Sequence, residues 1–325
     1  MQKSIWIFST VLLFGAVLVF RAGMLETAVP VQALPNEPGG SANECDNWQT
    51  NHPEWIFCDD FESDDPLVGN GRYFEYVSSG NEFVPLAGVG FNGSKGMRAL
   101  WHPGSVEAGN LKLGFGRNPS GYMNKGIRPS EDFREVYYRM YLRMQSGWQG
   151  NPAKLSRATV IAANDWSQAM IAHIWNGSGD KLAVDPVRCV DTNNNYKCSG
   201  YNDFSNMDWI GNQSGVTPIF AAEHNDAWFC IEAHVKLNDP GQSNGVQEFW
   251  MNGSLEARRD NLNFVRSYTA YGINAIFFEN WWNSGSPQEQ ERYFDNIVVS
   301  TAPIGCLLPD DFTPTDWIYL PTVIK

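Results

Sequence analysis

The chain is short of positive charge. Only 23 Lys and Arg stand against 36 Asp and Glu, a formal net charge of −13. So acidic a surface repels a phosphate backbone, which excludes nucleic acid as a partner. Histidine is also rare, 5 in 325 residues, and no close Cys or His pairs offer the spacing of a zinc site. No stretch shows the apolar period of a long amphipathic helix, and no segment repeats, so helical bundles and solenoids are excluded. The longest apolar run, Ile5 to Phe20, is shorter than the roughly 20 residues a membrane-spanning helix needs. A Ser/His/Asp or cysteine nucleophile has no supporting motif.

What is present points to export. Lys3 precedes the apolar run, and Val31-Gln32-Ala33 offers a small-x-small cleavage pattern, so residues 1–33 read as a signal peptide. An uncleaved anchor is the alternative. The mature chain is expected outside the cell, with no stable membrane insertion. Six cysteines, an even count, fit disulfides in an oxidising compartment. Sequence cannot choose rigorously among the pairings. The short loops make Cys45–Cys58 and Cys189–Cys198 natural, which leaves Cys230–Cys306.

The rest reads as strands and turns. Residues 34–55, rich in Pro, Gly, Asn and Ser, form a lead-in; 56–303 form one domain; 304–325 form a tail. Glu135 to Met144 alternates Val136, Tyr138, Met140 and Leu142 against Tyr137, Arg139, Tyr141 and Arg143, the mark of a strand with one face in the core. Similar strands cover Leu155–Ala163, Ala169–Trp175, Trp228–Leu237, Gly245–Met251, Ile273–Trp282 and Arg292–Ser300. Asn252-Gly253 marks a hairpin turn. The fold class is all-β, a two-sheet antiparallel sandwich or jelly roll. The Asn-, Ser- and Gly-rich segment from Asp191 to Gly215 reads as a long loop, and such loops are often functional.

Three segments carry a resemblance: Phe57-Cys-Asp-Asp-Phe-Glu-Ser63, Trp228-Phe-Cys-Ile-Glu-Ala-His-Val-Lys-Leu-Asn238 with the Trp250-Met-Asn-Gly253 hairpin, and Arg292-Tyr-Phe-Asp-Asn-Ile-Val-Val-Ser300. Together they resemble the concanavalin A-like superfamily, specifically its polysaccharide lyases of the glucuronan and alginate lyase type and their lyase-like relatives. The resemblance implies a jelly roll whose first and last strands share a structural calcium ion. Its ligands here would be Glu62, Asp295 and carbonyls of the turn around Gly93, the hard oxygens calcium prefers. It also implies an anionic polysaccharide as partner. The activity is either β-elimination on a uronic-acid glycan or, as the alternative, carbohydrate binding without catalysis.

A lyase must neutralise the uronate carboxylate, remove the proton on the adjacent carbon and protonate the leaving oxygen. The expected machinery is Arg157 and His173 first, with Arg139, Lys154 and a hydroxyl from Tyr137 or Tyr293. Trp175, Tyr141, Arg143 and Trp282 are the expected sugar contacts. All of this assumes that the strands at 135–144, 154–163 and 168–175 are neighbours in one sheet. Solvated or paired strand faces are the competing explanation for each residue. The Glu-x-Asp-x-x-Glu pattern of jelly-roll glucanases is absent. Met170-Ile-Ala-His173 only approximates the Gln-Ile/Val-His of alginate lyases, so the resemblance bears on fold more than on activity.

Overall fold

Side chains that alternate with period two leave one face of each strand apolar, and that face has to be covered. In the computed structural model, which describes residues 43–69, 72–119 and 127–307, two stacked sheets do this. The expected signal peptide and tail residues 308–325 lie outside the described residues. Strands β1 to β8 are Trp55–Asp59, Glu75–Val77, Phe83–Leu86, Gly96–Trp101, Glu107–Gly114, Glu135–Met144, Lys154–Ile161 and Gln168–Asn176. Strands β9 to β16 are Leu182–Arg188, Asp208–Trp209, Gln213–Ser214, Trp228–Lys236, Gly245–Met251, Ser254–Leu262, Ala275–Trp281 and Gln290–Ser300.

The first sheet runs β14-β13-β12-β6-β16-β4-β3, with β1 also on β16. The second runs β10-β9-β8-β7-β15-β5-β2, with β11 also on β9. Their pairings are antiparallel, and the architecture is the expected β-sandwich. The Asn252-Gly253 turn joins β13 to β14 with both residues at positive φ (49° and 80°), which an Asn-Gly pair adopts readily.

The assumption that β6, β7 and β8 are neighbours does not hold. β6 lies between β12 and β16 in the first sheet, whereas β7 pairs with β8 and β15 in the second. Met140 and Leu142 of β6 face Ala158, Val160, Ile174 and Phe278 across one large core. Each fully buried side chain of this size contributes about 1.5–3 kcal/mol. Polar contacts also bridge the sheets: among them, the Tyr138 hydroxyl lies 3.1 Å from Ser156 Oγ, and Gln247 Nε2 donates to the His173 carbonyl at 2.7 Å.

All three expected disulfides form: Cys45–Cys58 and Cys189–Cys198, which the short loops favoured, and the remaining pair Cys230–Cys306. The third spans 76 residues, a closure that stabilises by about 4 kcal/mol in chain-entropy terms. It holds residues 304–307 against the outer face of the first sheet. There Glu232 accepts the backbone N–H groups of Ile304 and Gly305 at 2.7 and 2.9 Å.

Candidate functional site

The outer face of the second sheet carries a depression of about 490 Å³. Its walls follow from alternation. On β5, Leu111 and Leu113 enter the core, so Asn110 and Lys112 face out. On β15, Ile276 and Phe278 enter the core, so Phe277, Glu279 and, past a bulge, Trp281 face out. Lys154 joins them from the start of β7, and Tyr201 from the loop before β10.

Glu279 is the electrostatic centre. It accepts Arg157 Nε and Nη2 at 2.8 Å each, Lys154 Nζ at 3.5 Å and a short hydrogen bond from the Tyr201 hydroxyl. Burial pushes the Glu279 carboxyl up, but Arg157 and Lys154 outweigh that and hold it well below the usual carboxylate range. The Tyr201 ring lies 4.4 Å from the Arg157 guanidinium and seals the pair; Arg157 is 0% exposed. Burial raises the Tyr201 phenol, so it stays protonated, and lowers the Lys154 ammonium, an effect Glu279 only partly offsets. Lys112 pairs with Glu75 and sits 4.8 Å from the Tyr201 ring centroid.

Arg292 supports the floor from inside the sandwich. Its Nη2 donates to the Glu279 carbonyl at 2.9 Å, Asn280 Oδ1 at 2.6 Å and the Lys154 carbonyl at 3.4 Å. Nε and Nη1 have no hydrogen-bond partner among the described residues, and the guanidinium rests on Trp101. Burial brings it down to about 9, still a cation near neutral pH.

His173 lies on the same outer face, directly opposite Arg157 in the β7–β8 pairing. It is 3% exposed, its Nδ1 is 3.4 Å from the Asp185 carbonyl, and Trp175 stacks on it at 4.3 Å. Burial, reinforced by Arg157, pushes it down to about 3, so it is neutral at ordinary pH. Burial raises the neighbouring Asp185 carboxyl to about 6, against the Trp175 hydrogen bond that lowers it.

Of the expected site residues, the structure brings together Arg157, His173, Lys154 and Trp175. It places the others elsewhere. Arg139 is buried on the outer face of the first sheet, bonded to Glu44 and the Gly305 carbonyl. Tyr141 receives the Leu307 N–H there at 2.5 Å. Arg143 lies between Trp228 and Tyr293, with its Nη1 on Asp226 at 3.2 Å. Tyr137 stacks on His234 of the same sheet at 4.2 Å. On the outer face of β6, Arg139 and Tyr141 therefore hold the segments that flank the sandwich, at Glu44 and at Gly305 and Leu307. Trp282 is a core residue against Trp101 and Trp148, and its neighbour Trp281 lines the depression.

On β16, Asp295 is 0% exposed. It accepts the Phe91 N–H at 2.6 Å, Ser94 Oγ at 2.9 Å and the Asn296 N–H at 2.7 Å. No ion pair engages it among the described residues, and burial raises its carboxyl well above the usual value. Glu62 reaches the same turn, accepting the Lys95 N–H at 2.7 Å. Gly90 leaves room here: a Cβ would stand 2.6 Å from Asp295 Oδ2. No group of three or more His, Cys, Asp or Glu side chains suited to a metal occurs among the described residues. A buried carboxylate that has hydrogen bonds but no ion pair among the described residues, beside turn carbonyls, nevertheless fits a hard cation, which takes much of its shell from backbone oxygens.

Sequence reasoning missed Lys112, Glu279, Tyr201 and Asn110. For two of them a signal existed. Lys112 stands between Leu111 and Leu113, and Glu279 follows two phenylalanines in an apolar strand, where an acid needs a partner. Tyr201 sits in an irregular loop, and only the fold brings it over β15.

No protein-family model matches the chain, and no curated protein matches its sequence. Solved structures do match in fold. The PL-14 alginate lyase from Aplysia kurodai superposes with TM-score 0.53 at 12% identity, covering 76% of this chain and 99% of that one. Alginate lyase vAL-1 from Chlorella virus gives 0.50 at 12%, covering 84% and 99%. The endo-β-1,4-glucuronan lyase from the fungus Trichoderma reesei gives 0.49 at 13%, covering 76% and 96%. At these identities the likeness to the two alginate lyases shows the jelly-roll fold alone.

Proposed function

We propose that the protein acts outside the cell on an anionic, uronic-acid polysaccharide, which it binds across the second sheet and cleaves by β-elimination. The observation that carries this reading is the meeting of two ammonium groups, a carboxamide and a protonated phenol in one depression. Lys112 and Asn110 offer N–H donors to the uronate carboxylate. Lys154, whose protonated form burial disfavours, takes the proton on the adjacent carbon as the neutral amine and becomes the ammonium. The carbon–oxygen bond to the leaving sugar breaks, a carbon–carbon double bond forms, and Tyr201 protonates the departing oxygen. Arg157 acts indirectly, keeping Glu279 ionised. The alginate lyase folds support the reaction class only at the level of architecture. Calcium at Asp295, Glu62 and the turn carbonyls around Gly93 belongs to the same reading, as a structural ion.

One observation favours the second reading, a binding module without cleavage. Arg157 gives its guanidinium to Glu279 and is fully buried, so it cannot meet a substrate carboxylate. Incubation with glucuronan, alginate, pectin and glycosaminoglycans separates the two. Rising ultraviolet absorbance from unsaturated uronate ends, lost in Lys154→Ala, is the expected result. A flat trace from folded protein across the panel sinks the lyase and leaves the binding module.

A further inference from the structure

Beside the depression, four rings lie almost parallel on the same sheet face. His173 and Trp175 are 4.3 Å apart at 6°, Trp175 and Trp209 5.5 Å at 22°, and Trp209 and Phe204 6.4 Å at 9°. Exposure rises along the row, from 3% at His173 to 42% at Trp209 and 53% at Phe204. Two large neighbouring rings left about half exposed forgo part of the gain that full burial would bring. A contiguous apolar patch of this kind marks a contact surface.

The shelf is also held in place. Trp209 is in β10, in register with Val187 of β9. Asp208 beside it pairs with Arg188 at 3.2 Å and Lys197 at 2.6 Å. The Cys189–Cys198 bridge ties down the base of the loop, and Asp203 accepts hydrogen bonds from Ser199 and Asn206 within it. A preordered surface loses little entropy when a ligand settles on it.

We infer that Trp209 and Phe204, backed by Trp175, form a stacking shelf for pyranose rings of the same polysaccharide that fills the depression. The inference rests on the carbohydrate reading of that depression but not on cleavage. One loop supplies both parts, Tyr201 to the depression and Phe204 and Trp209 to the shelf. Three strand spacings of about 4.8 Å separate Lys154 on β7 from Trp209 on β10, roughly three sugar rings across the strands. The depression takes the charged edge of a sugar, while the shelf takes the C–H face of rings further along.

The test titrates the full-length protein with alginate and glucuronan oligomers of two and six units, followed by tryptophan fluorescence and calorimetry. The hexamer should bind more tightly than the dimer. Trp209→Ala and Phe204→Ala should each weaken hexamer binding about five- to tenfold, and Trp209→Phe should restore most of it. Dimer binding and any turnover of the dimer should not change. Equal hexamer affinity in wild type and Trp209→Ala overturns the shelf, whether or not cleavage is seen. Hexamer binding that depends on Trp209 without cleavage removes the lyase and keeps the shelf. No binding of either polymer to folded wild-type protein removes both.

Discussion

Arg157 on β7 and Glu279 on β15 share two hydrogen bonds of 2.8 Å, with side chains 0% and 4% exposed. Taking two charges from water costs several kcal/mol each, and the pair repays that only while both partners are present. Glu279→Gln should therefore destabilise the protein by about 3–5 kcal/mol, because it strands a buried guanidinium. The double variant Glu279→Gln/Arg157→Met should recover most of the loss. Urea denaturation of the three proteins measures both effects. A loss of less than about 1 kcal/mol for the single variant would mean that water reaches the pair.

Arg292 poses the opposite case, a buried cation without an ion-pair partner among the described residues. Arg292→Met removes that charge, so stability should change little or rise by about 1–4 kcal/mol. The carbonyls of Lys154 and Glu279 then lose a donor behind the depression. Oligosaccharide binding should weaken while the melting temperature holds, and a parallel fall of both would reduce Arg292 to a core residue.

His173 predicts a pH dependence. Burial holds it at about 3 against an ordinary value of 6.5, so between those values the unfolded chain binds a proton that the folded one refuses. Stability from this residue is complete above pH 6.5 and is lost as pH falls towards 3. Asp185, raised from 3.8 to about 6, works in the opposite sense: its contribution is present below 3.8 and is lost as pH rises through 6. The difference between wild type and His173→Gln isolates the histidine. Wild-type stability should fall more steeply on acidification, and parallel profiles would show that His173 titrates normally.

Calcium should raise the melting temperature of the protein, and a chelator should lower it, because a ligand that binds only the folded state stabilises it. Asp295→Asn should abolish the calcium-dependent shift without depending on any activity. A calcium response that survives in Asp295→Asn places the ion elsewhere.

Much of the strand pattern was legible because it is local. β6 and β13 occupy the spans their alternation marked, Glu135–Met144 and Gly245–Met251, and the Asn252-Gly253 turn follows from backbone preference alone. Adjacent tryptophans in a strand had to point opposite ways, but nothing local says which one enters the core. The structure buries Trp282 and turns Trp281 to the depression, the same parity that puts Ile276 and Phe278 in the core and Glu279 outside.

The sequence by itself determined an all-β chain with paired cysteines and with polar side chains on one face of its strands, since these depend on residues near each other in the chain. Only the tertiary structure decided that Arg139 and Tyr141 fasten Glu44, Gly305 and Leu307 while Lys112, Lys154, Tyr201 and Glu279 meet. Strand pairing is set by contacts between distant segments: Glu279 lies 122 residues from Arg157 and 78 from Tyr201. Which faces end up together depends on how the whole core packs, and that is not encoded in any single strand.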